Sequence, residues 1–268
     1  MTATTPDPQD DPGAFAPERA KRDLRRVIPS PFDSDEGTVG KLVFFDIETA
    51  PLRDVKNYAD WDIKPPKNYK KEESIVTWRR TAVAKQLEKA ALDPDLCRVV
   101  AIGWWEQDGN LQSMTAQTTC EEIDMIKTFW KVVGFGCVVG YNCIGFDLPV
   151  LLRRSMYLGI RTDIPDFYLN KYRPSINVVD VMLRLSMEGL LSYRSMNWYA
   201  RRCGLTSGVP EIQGKDIPTL VETDRWDLVR QHVEDDVRLL RDLAIYCRIP
   251  PRVKHVEATE RLKRMKKN

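Results

Sequence analysis

The run Lys41–Thr49, KLVFFDIET, narrows the folding choices more than any other stretch of the chain. Its β-branched and aromatic residues stop at Pro51, the signature of a buried strand. Side chains alternate along a strand, so Asp46 and Glu48, two apart, share one face with Leu42 and Phe44. Both acids therefore stand at the edge of a core. Partly desolvated anions at that spacing repel and raise each other's pKa until a cation intervenes. Oxygen donors of this kind suit Mg2+ or Mn2+. The alternative, a strand end with both acids in water, stays open on this stretch alone.

The chain after this strand reads as a layered α/β domain. Residues 52–95 form an excursion, with an extended, basic, aromatic piece from Tyr58 to Lys71 and then a helix near Glu72–Ala91 that Pro94 closes. Cys97–Trp105 and Leu111–Ala116 flank a short loop containing Gly and read as a hairpin. A helix over about Cys120–Val133 carries Ile123, Ile126, Phe129 and Trp130 on one face. A strand at Cys137–Tyr141, a turn, and a helix from Leu148 to about Leu158 come next. Val178–Val181 is a short strand or a helix entry, Ser195–Cys203 a helix ended by Gly204, and Arg225–Cys247 the last long helix. This order predicts a single domain, residues 40–250, with a mixed β-sheet flanked by helices.

Lysine and arginine number 41 against 39 acids, a net charge of +2 over 268 residues, which excludes a uniformly basic nucleic-acid coat. A polyanion must be met by a local patch. The six cysteines form no CxxC and the only histidines are His232 and His255, so no zinc spacing exists. Cys97, Cys120, Cys137 and Cys203 border apolar segments, as reduced, buried thiols of a cytosolic protein do. No stretch nears the roughly 18 apolar residues of a membrane span, and the first residues lack a signal-like apolar core. A cytoplasmic location is the expectation. Residues 1–39, rich in Pro, Asp, Thr and Ser, read as a disordered tail with a short helix near Pro17–Arg26. Residues 251–268 read as a basic tail, seven cations against Glu257 and Glu260, that adds salt-sensitive affinity for nucleic acid or simply solubilises the end.

Two further sites carry acids in telling contexts. In VGYNCIGFDLPVLL, Asp147 precedes an apolar helix whose second residue is Pro149. Asp is a preferred N-cap and Pro is tolerated in a first turn, so capping is the plain reading. A capping Asp still offers its second oxygen to a metal. In QHVEDDVRLL, His232 and Asp236 are four apart and hence neighbours on one helix face. Asp236 shares its face with Val229, Val233, Leu239, Leu240 and Leu243, whereas Asp235 lies among Gln231, Arg238 and Asp242. A core-facing Asp is costly when unpaired, which favours Asp236 over Asp235 as the functional acid. His232 reads equally as a partly buried helix histidine.

FFDIET, then GYN-x3-FDLP-x-LL, then His-x3-Asp resemble the three motifs of the DEDD superfamily of ribonuclease-H-like 3′–5′ exonucleases. The nearest likeness is to stand-alone exonucleases akin to the editing domain of family B DNA polymerases. It spans about residues 40–248, and the second motif, with Tyr141, Asn142, Phe146 and Asp147, is its most specific part. The resemblance implies that Asp46, Glu48, Asp147 and Asp236 bind two divalent metals, Mg2+ or Mn2+, for in-line attack of a water on the terminal phosphodiester. Thr49, Tyr141, Asn142, Phe146 and Lys70 are the candidate substrate contacts, with Asn142, beside Asp147, placed to reach a terminal nucleotide and Tyr141 reading equally as core. The sequence departs from the pattern at one place. His-x3-Asp has the spacing of the subgroup whose motif is Tyr-x3-Asp, yet its residue is His232. A histidine there departs from the family's tyrosine but can still serve as general base, since an imidazole ordinarily titrates near neutrality.

An exonuclease must hold a frayed strand with cations on the backbone and aromatic faces for the bases. Tyr58, Trp61, Lys64, Lys67, Tyr69, Lys70 and Lys71 interleave those types and read as a groove wall or as a solvated loop with aromatic anchors. Arg194, Arg201 and Arg202 read as a solvated helix face. The expected substrate is single-stranded DNA, with RNA as the alternative, and the expected partners are nucleic acid and proteins of replication or repair. A binding module without catalysis is the rival of a different class.

Overall fold

The structure, a computed structural model, describes residues 41–61, 63–134, 136–160, 177–205 and 212–249. The two expected tails, 1–39 and 251–268, lie outside the described residues. Among the described residues, five strands form one mixed sheet in the order β3-β2-β1-β4-β5. They are β1 Leu42–Pro51, β2 Cys97–Glu106, β3 Leu111–Thr115, β4 Cys137–Gly140 and β5 Val178–Asp180. β2 runs antiparallel to both β1 and β3, while β4 pairs parallel with β1 and β5. This is the ribonuclease-H-like arrangement, and it leaves β1 central.

Period-two alternation sorts β1 between two cores. Val43, Phe45 and Ile47 enter one cluster with Met125, Ile126, Phe129 and Trp130 of helix α2, Thr119–Val133, and with Leu148 and Leu151 of helix α3, Asp147–Tyr157. Leu42 and Phe44 enter the other, with Val237, Leu240 and Leu243 of the last long helix. α2 starts on a capping box: the Thr118 hydroxyl accepts from the Glu121 amide at 3.2 Å, and the Glu121 carboxylate accepts from the Thr118 amide at 3.0 Å. α2 and α3 are tied by a buried bidentate pair, in which Arg154 donates to both Glu122 oxygens at 2.8 and 2.9 Å. Glu122 also accepts from the Val99 amide of β2, so one carboxylate joins both helices to the sheet.

The remaining α-helices among the described residues are α1 Glu72–Glu88, α4 Val181–Leu185, α5 Met196–Arg202, α6 Ile217–Glu222 and α7 Trp226–Tyr246. The expected helix to Ala91 instead stops at Glu88 and tightens into a single turn of 3-10 helix at Ala90–Leu92. Val178–Val181 turns out to be both a strand and a helix entry. α6 is an element the sequence reading omitted; it starts with Pro218 in its first turn, where a missing N–H costs nothing. Cys120 is exposed at the start of α2, while Cys97, Cys137 and Cys143 are buried, and all six thiols are free. No described helix is long and apolar enough to cross a membrane.

Candidate active site

Because β1 alternates, Asp46 and Glu48 prolong the face on which Leu42 and Phe44 pack beneath α7. α7 brings His232 and Asp236 to the same place, one turn and more ahead of Leu240. Its buried residues Val229, His232, Val233, Val237 and Leu240 follow the helical repeat. The His232 Nε2 lies 3.4 Å from Glu48 Oε1 and 3.8 Å from Asp236 Oδ2. Asp235 turns the other way and accepts from Arg238 at 2.7 Å. The preference for Asp236 over Asp235 thus has a geometric basis.

Asp147 arrives through a folded-back turn between β4 and α3. Asn142 has a left-handed backbone, φ 58°, and its carbonyl accepts from the amides of Gly145 and Phe146 at 2.9 and 3.0 Å. Gly140 must lack a side chain, since a β-carbon there would lie 2.4 Å from that of Cys143. Asp180, at the end of β5, holds the turn from outside. Its carboxylate accepts from the amides of Asn142 and Ile144, both at 3.1 Å, and from Leu183 at 3.2 Å. Sequence reasoning missed Asp180; its only local signal was an Asp before a short apolar helix.

The expectation that Asp147 caps α3 is corrected. Phe146 occupies the cap position with no side-chain cap, and Asp147 is the first residue of the helix. The turn already starts the helix, with the Val150 amide donating to the Phe146 carbonyl at 3.0 Å. The carboxylate is thereby left to face the site, where the amides of Ile47 and of Asp147 itself hold it.

Burial pushes the Asp147 carboxyl up to about 7; those two amides offset part of this, and Asp180 and Asp236 add to it. Burial, then the charges of Asp147, Asp236 and Glu48, drives Asp46 well above the usual carboxylate range. Glu48 is raised by burial and by Asp236 and Asp147. Asp236 is raised by burial, with His232 acting against the shift. Among the described residues no lysine or arginine forms an ion pair with any of the four acids. Glu48 and Asp147 are buried and Asp46 and Asp236 half-buried, and repelling carboxylates of this kind have the oxygen chemistry that suits a hard divalent cation. Ligand atoms of Glu48, His232 and Asp236 all lie within 4.8 Å of one another, which suits a single ion.

Asp46, Glu48, His232 and Asp236 line an open cleft of about 800 Å3, of which Asp147 is not a lining residue. Asp46, Glu48, Thr49, Phe146, His232 and Asp236 form its floor and one side; Ser195, Asn197 and Arg201 form another. Arg201 therefore belongs to the cleft wall, where the sequence reading placed it on a solvated face. The Thr49 hydroxyl is already engaged, donating to the Ala91 carbonyl at 2.6 Å. Tyr141 and Asn142 stand behind the lining: the Tyr141 hydroxyl donates to the Arg194 carbonyl, and burial pushes its phenol up. Lys70 is exposed just before α1, a helix with no buried residue, and is likewise away from the lining. Near it the Tyr69 and Trp78 rings lie 6.3 Å apart.

Residues 91–267 match the model of a family described as a predicted 3′–5′ exonuclease related to the exonuclease domain of PolB. Asp147, His232 and Asp236 fall inside that match, and Asp46 and Glu48 precede it. No curated protein matches the chain. Among solved structures, the family B DNA polymerase from the hyperthermophilic archaeon Pyrobaculum calidifontis is similar, at 20% identity and a TM-score of 0.46. The likeness covers 76% of this chain and 24% of the polymerase, so the chain spans about a quarter of that protein's length.

Proposed function

This chain belongs to the family of predicted 3′–5′ exonucleases related to the exonuclease domain of PolB, and from that membership we propose that it hydrolyses the terminal phosphodiester at the 3′ end of single-stranded nucleic acid, DNA ahead of RNA. The observation that carries the reading is the convergence of four acids from two helices and one strand, Asp46, Glu48 and Asp236 lining one cleft and Asp147 close enough to raise the pKa values of Asp46 and Glu48. Buried acids that repel one another are costly in a folded protein, and a cation-dependent reaction gives them a use. The four would hold Mg2+ or Mn2+, with His232 at their edge. When bound, such ions supply positive charge to the phosphoryl oxygens and make a water acidic enough to attack.

The protein's own groups account for the other requirements. His232 Nε2, within 4 Å of Glu48 and Asp236, is the atom assigned to take the attacking water's proton. Arg201 meets the phosphate chain from the cleft wall, and the Phe146 ring, on the lining, offers a face to the terminal base. Asn142 and Tyr141 act by shaping the turn that delivers Asp147. Lys70, the Tyr69 and Trp78 rings, and Arg79 and Arg80 of α1 would follow the strand away from the cut.

The test is incubation of the chain with 5′-labelled single-stranded DNA and the matching RNA, in Mg2+ or Mn2+, beside an Asp46→Ala variant. A ladder shortening from the 3′ end, abolished by chelator and by the substitution, is the expected result, and its relative speed ranks the two sugars. Binding of both strands without cleavage of either would remove the catalytic reading and leave a binding module.

A further inference from the structure

Five of the large apolar side chains that face water fall within twelve residues: Met187, Leu190, Leu191, Tyr193 and Trp198. Leu190, at the tip, is 88% exposed. The first four sit on the loop between α4 and α5 and Trp198 on the first turn of α5, and hydrogen bonds hold the loop. Met187, Glu188 and Gly189 have successive positive φ values of 54°, 58° and 90°, a conformation that L side chains rarely adopt. Bonds over the loop's base hold it there. The Glu188 amide donates to the Leu183 carbonyl at 2.7 Å and the Leu191 amide to the Ser186 carbonyl at 2.9 Å. The wholly buried Ser186 hydroxyl accepts from the Gly189 amide at 3.2 Å and donates to the Leu183 carbonyl at 3.1 Å. Tyr193 folds back so far that a β-carbon on Gly189 would lie 2.9 Å from its hydroxyl.

A rigid, strained loop that presents aliphatic side chains to water does nothing for the core. Its position gives it a use. It leads straight into Ser195, Asn197 and Arg201, which line the cleft. The charge around it is cationic: Arg194, its guanidinium 5.3 Å from the Trp198 ring, then Arg201 and Arg202. The loop's one acid, Glu188, is engaged with Arg184 at 3.3 Å. Apolar tips beside a row of cations suit bases and phosphates together, which an acidic or apolar protein surface would not require.

The character of the tips narrows the choice further. An unpaired strand is held by aromatic faces and cations. Protruding aliphatics are what nucleic-acid-binding proteins insert between base steps to unstack them. We propose that Met187, Leu190 and Leu191 form a ledge that unstacks the last base pairs of a duplex, so that a paired 3′ end can enter the cleft. This rests on the exonuclease reading of that cleft.

The experiment compares the chain with a Leu190→Ser/Leu191→Ser variant on two 5′-labelled DNAs, a blunt hairpin and the single strand of the same 3′ sequence. Met156→Ser, which alters an exposed apolar residue of α3, serves as control. The expected result is that trimming of the hairpin relative to the single strand falls about fivefold or more in the double variant and not in the control. A second arm places 2-aminopurine next to the hairpin terminus and uses Asp46→Asn protein, which leaves the strand intact. Its fluorescence is expected to rise on binding, and to rise far less when the two leucines are also replaced. An unchanged ratio, an equal loss on both DNAs, or the same fluorescence rise without the leucines would overturn the ledge. Should the unsubstituted chain cut neither DNA, the catalytic reading falls and the fluorescence arm alone decides the ledge.

Discussion

Gly103 stands directly opposite Asp46 in the β1–β2 register, and a β-carbon on it would lie 3.1 Å from the Val233 carbonyl of α7. It would also lie 3.0 Å from a Val237 methyl. The bare backbone at Gly103 is therefore what lets α7 settle on the sheet. Val233 sits between His232 and Asp236, so the same contact sets how near those two come to Asp46 and Glu48. Gly103→Ala must push α7 outward by a few tenths of an ångström. Overpacking of this kind costs about 1–3 kcal/mol, and small misplacements of reacting groups lower rates steeply. Trimming by Gly103→Ala is expected to fall about tenfold or more while the protein still unfolds cooperatively. A variant with native rate and native urea midpoint would show that α7 is not seated by that contact.

The four acids also make stability depend on pH and on cations. All have folded-state pKa values above their unfolded ones, and Asp147 reaches about 7. The folded chain then binds more protons than the unfolded chain between roughly pH 4 and pH 7, so stability falls as pH rises through that window. Without metal, the melting temperature is expected to be higher near pH 5 than near pH 8. Mn2+ or Mg2+ at the upper pH should restore it, and chelator should reverse the gain. Asp147→Asn, which removes a buried charge, should flatten the pH dependence. A melting temperature that ignores both pH and cation would sink this account of the cluster.

His232 and Asp236 share a helix face but are assigned different work, and substitution separates them. Asp236→Ala takes away an oxygen donor, so both trimming and cation-induced stabilisation should be lost. His232→Gln leaves the acids in place. It should slow trimming about a hundredfold or more, with most of the cation-induced rise in melting temperature retained. The informative comparison is the two variants' thermal shifts in Mn2+. If His232→Gln abolishes that shift as Asp236→Ala does, the imidazole is a ligand rather than a proton acceptor.

The fold was legible where burial follows a short period. Alternation in β1, the β2–β3 hairpin and the stripe on α7 all report local geometry, and each predicts its element to within a few residues. The three acidic motifs stood out by their resemblance to a known family, and local period added only that Asp46 and Glu48 share a strand face and His232 and Asp236 a helix face. Asp180, Arg201 and the Thr49 hydroxyl were not. Asp180 meets Asn142 across 38 positions and Thr49 meets Ala91 across 42, and no period in a sequence encodes such partners. Arg201 is exposed by any local measure, and only the fold turns its side toward the cleft.

Asp180 acts on the site at a distance, and the effect can be measured. Its two oxygens accept three amides, and two of those belong to the turn that presents Asp147. Asp180→Asn preserves the shape but swaps one acceptor for a donor, which faces an N–H and leaves it unpaired. A buried donor without a partner costs about 1–3 kcal/mol, so the variant should unfold at lower urea by that margin. The strain at Asn142, held at φ 58°, should then relax, carrying Asp147 away from Ile47. Trimming would fall although Asp180 lies outside the cleft lining, and raised Mn2+ would restore part of it by drawing the acid back. A variant destabilised as expected but trimming at the native rate would show that the turn holds Asp147 without help from Asp180.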